Sequence, residues 1–138
     1  MRAREYAIHY AHTSHGSQVL SGLSWLEVQD PKYNVDIRVS NAVGLPGDAS
    51  AMRFYDGNNY GGNNYIPPEM FWETADGLDH TSSVLDTGWF DYSLWTWCGQ
   101  MSYYTDAQIQ AYLAALDQLE QEYPGTRLIY YSGHTDGS

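Results

Sequence analysis

The chain has 138 residues, of which 43% are hydrophobic and 15% aromatic, and its formal net charge is −11. This length suits a single domain with a sizeable core, and the aromatic content excludes a disordered chain. The negative charge disfavours binding to nucleic acid, and no apolar run reaches the roughly 20 residues that cross a bilayer. Cys98 is the only cysteine, which excludes an internal disulfide.

The first predicted unit is a strand, a tight polar turn and a helix. Residues 5–11 are short and rich in β-forming side chains, which predicts a strand. Residues 17–29 carry apolar side chains at helical spacing, which predicts a helix that ends at Pro31. Residues 33–40 alternate apolar and polar side chains, which predicts a strand at the edge of a sheet.

A long insert over about residues 41–88 is rich in glycine, asparagine and tyrosine. A structureless connection of this length is unusual in a compact domain, so we expect short helices within it. Asp48 is a suitable N-cap for one helix over residues 49–54. Residues 67–76 have the proline start and the following glycine of another.

The last third of the sequence predicts a strand, a helix and a strand. The strands are residues 90–97 and 127–132, and the helix over residues 105–123 begins with a capping box of Thr105 and Gln108. Strands that alternate with helices predict one α/β domain over residues 1–138, with a mainly parallel sheet between helices. We expect the strands that begin near Glu5, Phe90 and Arg127 to lie inside this sheet.

Polar, glycine-containing segments follow all four predicted strands. They are residues 12–18 (HTSHGSQ), 41–48 (NAVGLPGD), 98–102 (CGQMS) and 133–137 (GHTDG). The carboxyl ends of parallel strands form the ligand-binding rim of such sheets, so we expect these segments to converge. Ser14 lies where a strand turns into a helix, which is the setting of a serine nucleophile. An ordinary N-cap serine is the alternative, and Ser17 is equally eligible for that role.

Three of these segments together resemble the blocks of the SGNH (GDSL-like) hydrolases. The blocks are residues 12–16 (HTSHG), 41–48 and 98–101 (CGQM), although H-T-S replaces the family's G-D-S. The resemblance implies a flavodoxin-like three-layer fold and an esterase or carbohydrate deacetylase that acts on a small-molecule or glycan ester. It also implies that Ser14 is the nucleophile and that Gly47 and Gln100 form the oxyanion hole, with Gln100 in place of an asparagine.

The general base has two candidate sources. The D-x-x-H block, which follows a fifth strand in the family, has no counterpart in this sequence. We expect His134 to act as the base or, if the sheet is incomplete at the C-terminus, a histidine in a longer form of the protein. Without either base, the resemblance would not imply a hydrolase.

Histidines and aromatic side chains are the remaining candidates around this rim. His12 and His15 are expected to contact substrate, and together with Cys98, His134 and Asp136 they offer a zinc site as an alternative. Loop histidines that order the turn are the simpler interpretation, so we expect no metal and no cofactor.

The aromatic insert has two interpretations. Flat rings stack on sugar faces, so the aromatic side chains of the insert are expected to form a sugar-binding wall; a core that pins the insert is the alternative. These side chains are Tyr55, Tyr60, Tyr65, Phe71 and Trp72, of which Tyr60, Tyr65 and Trp72 are expected to bind substrate. A non-catalytic carbohydrate-binding module and a structural protein that assembles through aromatic surface both stay open. An acidic, lysine-poor composition is common among secreted carbohydrate-active proteins, which is compatible with an extracellular or periplasmic location. The oligomeric state is open.

Overall fold

The computed structural model describes residues 5–132. Its helices are α1 (Ser17–Gln29), α2 (Ala75–Leu85) and α3 (Asp106–Glu122). Its strands are β1 (Ala7–His12), β2 (Val35–Val39), β3 (Met52–Asp56), β4 (Tyr92–Thr96) and β5 (Arg127–Ile129). All neighbouring strands are parallel, and their order across the sheet is β2-β3-β1-β4-β5.

Helices cover both faces of this sheet. Successive side chains of a strand point to opposite faces, so Tyr10 and Ala11 of β1 belong to different cores. Tyr10 packs with Leu20 of α1, whereas Ala11 belongs to a cluster that contains Leu85 of α2 and Leu116 of α3. The predicted three-layer α/β fold is therefore confirmed.

The sheet edges differ in part from the prediction. β2 is an edge strand, as its alternating pattern indicates. In residues 5–132 the opposite edge is β5, so the prediction that the strand from Arg127 lies inside the sheet is wrong for the described chain. Among the described strands β5 pairs only with β4, and Ile129 keeps 39% of its surface exposed.

The insert contains a strand that the sequence pattern did not predict. The carboxylate of Asp48 accepts hydrogen bonds from the backbone N–H and the hydroxyl of Ser50, and the chain then enters β3 instead of a helix. Aspartate closes such a turn as readily as it caps a helix, so the same residue pattern is compatible with a turn and with a helix N-terminus. β3 lies between β2 and β1, where Phe54 and Tyr55 are buried on opposite faces.

The predicted helix over residues 67–76 is displaced along the chain. Pro68–Met70 forms only a short 3₁₀ turn, and α2 begins at Ala75. Thr74 is its N-cap, since the Thr74 hydroxyl accepts a hydrogen bond of 3.0 Å from the N–H of Gly77.

The helices predicted over residues 17–29 and 105–123 are confirmed as α1 and α3. The capping box at the start of α3 is present, with Thr105 and Gln108 each accepting a hydrogen bond from the other's backbone N–H. None of the helices within residues 5–132 has the length and apolar character needed to span a membrane.

Candidate functional site

A crevice opens where β1 and β4 lie side by side. From β1 the chain passes through α1 on one face to β2, and from β4 it passes through α3 on the other face to β5. Strands whose connections diverge in this way form the topological switch point at which open α/β sheets bind ligands. The serine turn after β1 and the cysteine segment after β4 both lie at this point.

The turn after β1 is tightly packed. The three residues that follow Thr13 form a 3₁₀ helix, and the N–H of Gly16 donates to the Thr13 carbonyl at 2.9 Å. The hydroxyl of Tyr10 donates to the carbonyl of Gly16 at 2.7 Å. A Cβ at position 16 would overlap the side chain of His12, so this approach requires glycine. Ser14 is exposed in this turn, which leads directly into α1.

Ser14, Cys98 and His15 form a chain of polar contacts at the crevice. Ser14 Oγ lies 3.0 Å from Cys98 Sγ, and the same sulfur lies 2.9 Å from His15 Nδ1. The hydrogen bond from Ser14 is the main reason that the pKa of the Cys98 thiol is lowered, and backbone N–H groups assist it against the opposite effect of burial. A lowered thiol pKa increases the fraction of reactive thiolate.

Gln100 is anchored through its side-chain carbonyl. Its Oε1 accepts hydrogen bonds from the N–H of Cys98 at 3.0 Å and from the hydroxyl of Thr13 at 3.3 Å. These contacts occupy the oxygen of the amide, so Nε2 is the half of the side chain that can donate to a ligand. An amide that is held in advance of the reaction is suited to stabilising an oxyanion.

His12 and Asp56 form a buried pair behind this turn. His12 Nε2 lies 3.3 Å from both carboxylate oxygens of Asp56, and His12 Nδ1 lies 2.8 Å from the carbonyl oxygen of Thr13. Burial acts to lower the pKa of His12, but the hydrogen bond and the charge of Asp56 outweigh it and the pKa is raised. His12 is 7% exposed and Asp56 is 2% exposed, so neither side chain is a surface group.

Similarity to known proteins gives no assignment for this site. No family model matches the chain, and no curated protein and no solved structure matches it. A function is therefore inferred from the geometry of the crevice and from the chemistry of its side chains.

A cavity of about 350 Å³ opens beside the turn. It lies between the start of α1 and the end of β4, and its wall includes His15, Gln18 and Thr96 as well as the apolar side chain of Val19. This volume lies at the small end of the range for small-molecule sites. The wall therefore combines hydrogen-bonding groups with apolar surface.

Among the predicted catalytic residues, the structure brings Ser14 and Gln100 together but not Gly47. The N–H of Asp48 donates at 2.7 Å to the carboxylate of Asp36, which lies in the first half of β2. Gly47 therefore lies near the amino ends of the strands, because the connection from β2 to the parallel β3 returns along the sheet. His134 lies outside the described residues.

Among the predicted substrate-binding residues, His15 lies at the crevice and His12 lies behind it. Tyr60 lies in the insert, where its ring stacks on His80 at 3.7 Å between centroids. Tyr65 is 44% exposed and precedes Ile66, whose N–H donates to the His12 carbonyl at the end of β1.

Trp72 belongs to the core instead of a sugar-binding wall. It is 4% exposed and packs against the rings of Trp97 and Tyr112. Phe71 and Tyr55 are also fully buried, so this part of the insert corresponds to the core that was the alternative interpretation.

The possible metal ligands are separated in the described chain. His12 faces Asp56, whereas His15 faces Cys98. Within residues 5–132, no group of three or more histidine, cysteine, aspartate or glutamate side chains is arranged to hold a metal ion. Asp136 lies outside the described residues.

Asp56 is a site residue to which the sequence pattern assigned no role. Its signal was the D-G-N-N segment directly after the residues MRFY, which is the polar end of a strand once β3 is recognised. The contact between Cys98 and Ser14 had no local signal, because it joins two loops whose strands are neighbours only in the folded sheet.

Proposed function

We propose that this protein is a serine hydrolase of the SGNH type, with Ser14 as its nucleophile and a small-molecule or glycan ester as its substrate. The observation that carries the proposal is the position of Ser14, which is exposed at the topological switch point and at the start of a helix. A hydroxyl placed there reaches a ligand in the crevice while the helix N-terminus favours negative charge.

The proposed reaction transfers an acyl group to Ser14. Ser14 Oγ forms a bond with the acyl carbon while a base takes the hydroxyl proton, and the carbonyl electrons move to the oxygen. The bond from the acyl carbon to the alcohol oxygen then breaks, and the alcohol leaves with that proton. Water hydrolyses the acyl-serine by the same sequence of steps and regenerates the hydroxyl.

Stabilisation of the oxyanion is assigned to Gln100 and to backbone N–H groups. The Oε1 contacts of Gln100 direct its remaining donor capacity, on Nε2, to a ligand. The 3₁₀ turn of residues 14–16 adds backbone N–H groups at its start, which no side chain caps. Together these donors take the place of the family's asparagine and oxyanion-hole glycine.

The general base is assigned to His134. His15 is adjacent to the nucleophile in sequence, but its Nδ1 contacts Cys98 Sγ and not Ser14 Oγ. His134 follows β5, whose carboxyl end lies on the same rim as those of β1 and β4. A histidine in a longer form of the protein would serve the same purpose.

A second candidate function uses Cys98 as the nucleophile. The 2.9 Å contact between Cys98 Sγ and His15 Nδ1 and the lowered pKa of the thiol favour it. In this mechanism the thiolate attacks the acyl carbon and the imidazolium of His15 protonates the leaving group. Ser14 would then serve as a hydrogen-bond donor to the sulfur.

Hydrolysis of 4-nitrophenyl acetate by the full-length natural protein distinguishes these candidates. We expect Ser14→Ala to abolish turnover and Gln100→Ala to lower kcat about 100-fold, the usual effect of losing one oxyanion-hole donor. Ser17→Ala is the matched control, because the Ser17 hydroxyl donates to the backbone carbonyl of Ser14 and is not assigned to the chemistry. Labelling with a fluorophosphonate and mass spectrometry identifies the modified residue.

Two outcomes contradict the serine mechanism. Loss of turnover in Cys98→Ala with full turnover in Ser14→Ala selects the cysteine mechanism. Glycan binding without turnover of any ester by the full-length wild-type protein selects the non-catalytic binding module.

A further inference from the structure

The end of β1 carries a buried histidine–carboxylate pair that the proposed reaction does not use. We propose that His12 and Asp56 form an ion pair whose function is to hold the carbonyl of Thr13 and thereby to position Ser14. His12 is then a positioning residue and not a substrate contact. The inference rests on the proposed function only where it concerns the reactivity of Ser14.

The hydrogen-bond partners of His12 determine how many protons the pair carries. A backbone carbonyl only accepts hydrogen bonds, so Nδ1, 2.8 Å from the Thr13 oxygen, must carry a proton. Nε2 faces the carboxylate of Asp56, so a further proton has to lie between that nitrogen and the carboxylate. With that proton on Nε2, both ring nitrogens donate and His12 is an imidazolium.

Asp56 depends on His12 for its neutralisation. The Asp56 carboxylate is almost completely buried, and its Oδ1 accepts no hydrogen bond from any residue that the structure describes. That oxygen lies 3.3 Å from His12 Nε2, so the positive ring is its compensation. A buried carboxylate without such a partner is strongly unfavourable.

The groups that pack directly against His12 from β1 and from the turn are uncharged at neutral pH. Tyr10 of β1 lies 5.4 Å from the His12 ring, and burial raises the pKa of its phenol to about 12. Gly16 from the turn packs on the His12 side chain, and the first turn of α1 contains no acidic residue. Arg38 of β2 donates to the hydroxyl of Ser40.

The pair acts on Ser14 through one peptide bond. The Thr13 carbonyl accepts both His12 Nδ1–H at 2.8 Å and the N–H of Gly16 at 2.9 Å. This carbonyl belongs to the planar peptide that joins Thr13 to Ser14, so two donors on it fix the orientation of that plane. The direction in which Ser14 projects from β1 is therefore tied to the Nδ1–H group of His12.

Substitution of Asp56 by asparagine separates charge from shape. The amide N–H₂ that this substitution introduces donates to an unprotonated Nε2 of His12, while Nδ1–H still donates to Thr13. Asp56→Asn is therefore expected to keep both hydrogen bonds with a neutral His12. Replacement of His12 by leucine removes both bonds, and His12→Asn restores only a donor near the Thr13 carbonyl.

NMR titration of the histidine ring nitrogens tests the charge of the pair in the full-length protein. We expect both His12 nitrogens to be protonated at pH 6.5 and the titration midpoint to be lower by about one pH unit or more in Asp56→Asn. His9 is the internal control, because its ring nitrogens contact the hydroxyl of Ser93 and the carbonyl of Gly57 and its titration is expected to be the same in both proteins. A neutral His12 ring at pH 6.5 in the wild type overturns the ion pair.

Hydrogen exchange of the Gly16 amide tests the positioning. We expect His12→Leu to accelerate this exchange about tenfold, as for the loss of one hydrogen bond, and His12→Asn to recover protection. The amide of Tyr33, which closes a similar turn on the Asp30 carbonyl at 3.0 Å, is the matched control. Unchanged Gly16 exchange in a folded His12→Leu variant contradicts the positioning role.

The rate of fluorophosphonate labelling at Ser14 connects the pair to the proposed reaction. We expect His12→Leu to slow labelling, His12→Asn to be faster than His12→Leu, and Asp56→Asn to retain a large part of the wild-type rate. If the wild-type protein is not labelled at all, the proposed hydrolase function fails. The titration and exchange measurements still decide the ion pair in that case.

Discussion

His9 and His12 lie in the same strand and are both buried, yet His9 is neutral and His12 is positively charged. His9 is fully buried, with Nδ1 at 2.8 Å from Ser93 Oγ and Nε2 at 2.9 Å from the carbonyl of Gly57. Desolvation lowers its pKa to about 4, because it outweighs the raising effects of hydrogen bonds with Gly57 and Asn58. His12 loses almost as much solvent, but Asp56 raises its pKa above the usual value.

The difference shows that the partner, and not burial alone, decides whether a buried histidine is charged. His9 is a neutral core residue between the hydroxyl of Ser93 and the carbonyl of Gly57, and its ring stacks on Tyr55 and Phe71. His12, three positions later, lies on the other face of β1 at the rim, where a charged pair adjoins the candidate nucleophile.

Removal of one partner from each pair is expected to give the largest contrast. His12→Leu leaves the Asp56 carboxylate buried without compensation, which costs about 3–5 kcal/mol of folding free energy. Adding Asp56→Leu removes the orphaned charge, so the double variant is expected to regain much of that loss. For His9 and Ser93, which are neutral, the coupling energy is expected to be about 1 kcal/mol.

Urea unfolding of the two double-mutant cycles at pH 7 measures these couplings. The His9 cycle consists of His9→Leu, Ser93→Ala and the double variant. Equal coupling energies in the two cycles would show that the charge of the Asp56 pair has no special role and would remove the contrast between core and rim.

The two histidines are also expected to give stability opposite dependences on pH. The unfolded chain protonates a histidine near pH 6.5, whereas folded His9 resists protonation down to about pH 4. Stability is therefore unaffected by His9 above pH 6.5 and falls by about 3 kcal/mol as the pH decreases from 6.5 to 4. His12 has a raised pKa, so its contribution is present below pH 6.5 and is lost as the pH rises through its folded value.

Urea unfolding between pH 4.5 and 9 checks both slopes. His9→Gln removes the titrating ring and keeps an amide donor for Gly57, so the variant is expected to lose less stability in acid than the wild type. Asp56→Asn is expected to flatten the alkaline part of the profile. A wild type and a His9→Gln variant with the same acid slope would contradict the assignment of that slope to His9.

Local signals predicted much of this fold. The capping box at Thr105 and the apolar stripe after it define α3 because these interactions lie within a few residues of one another. The same kind of local signal failed at Asp48, because a turn that closes on Ser50 and a helix N-terminus use the same carboxylate. For that reason the sequence pattern did not predict β3, which is the strand that separates β2 from β1.

In the candidate site, too, local sequence predicted some features and not others. The turn at Ser14 was predicted because the strand, the turn and the helix that form it are consecutive in sequence. The pairing of Asp56 with His12 and the distant position of Gly47 both depend on the order of strands in the sheet. Strand order is set by long-range packing, so no pattern around Asp56 or Gly47 alone reveals it.

The smallest expected change in the free energy of unfolding concerns the contact between the turn and His12, and it tests the packing next to Ser14 directly. A Cβ at position 16 would overlap His12 Cβ and Thr96 Oγ1, so Gly16→Ala must push the turn outward and is expected to cost about 1–3 kcal/mol. Gly22 is the matched control in α1, where an added Cβ meets nothing within 4 Å. Gly22→Ala is therefore expected to stabilise the helix by about 0.5–1 kcal/mol.

Urea unfolding of the two glycine variants, together with fluorophosphonate labelling of Ser14, separates the two effects. If the turn positions Ser14, Gly16→Ala lowers the labelling rate even under conditions where the variant is fully folded. Gly22→Ala leaves that rate unchanged, because position 22 is exposed on α1 and adds no contact to the turn. A folded Gly16→Ala variant with wild-type labelling would show that Ser14 tolerates displacement of the turn, and the packing against His12 would then concern stability alone.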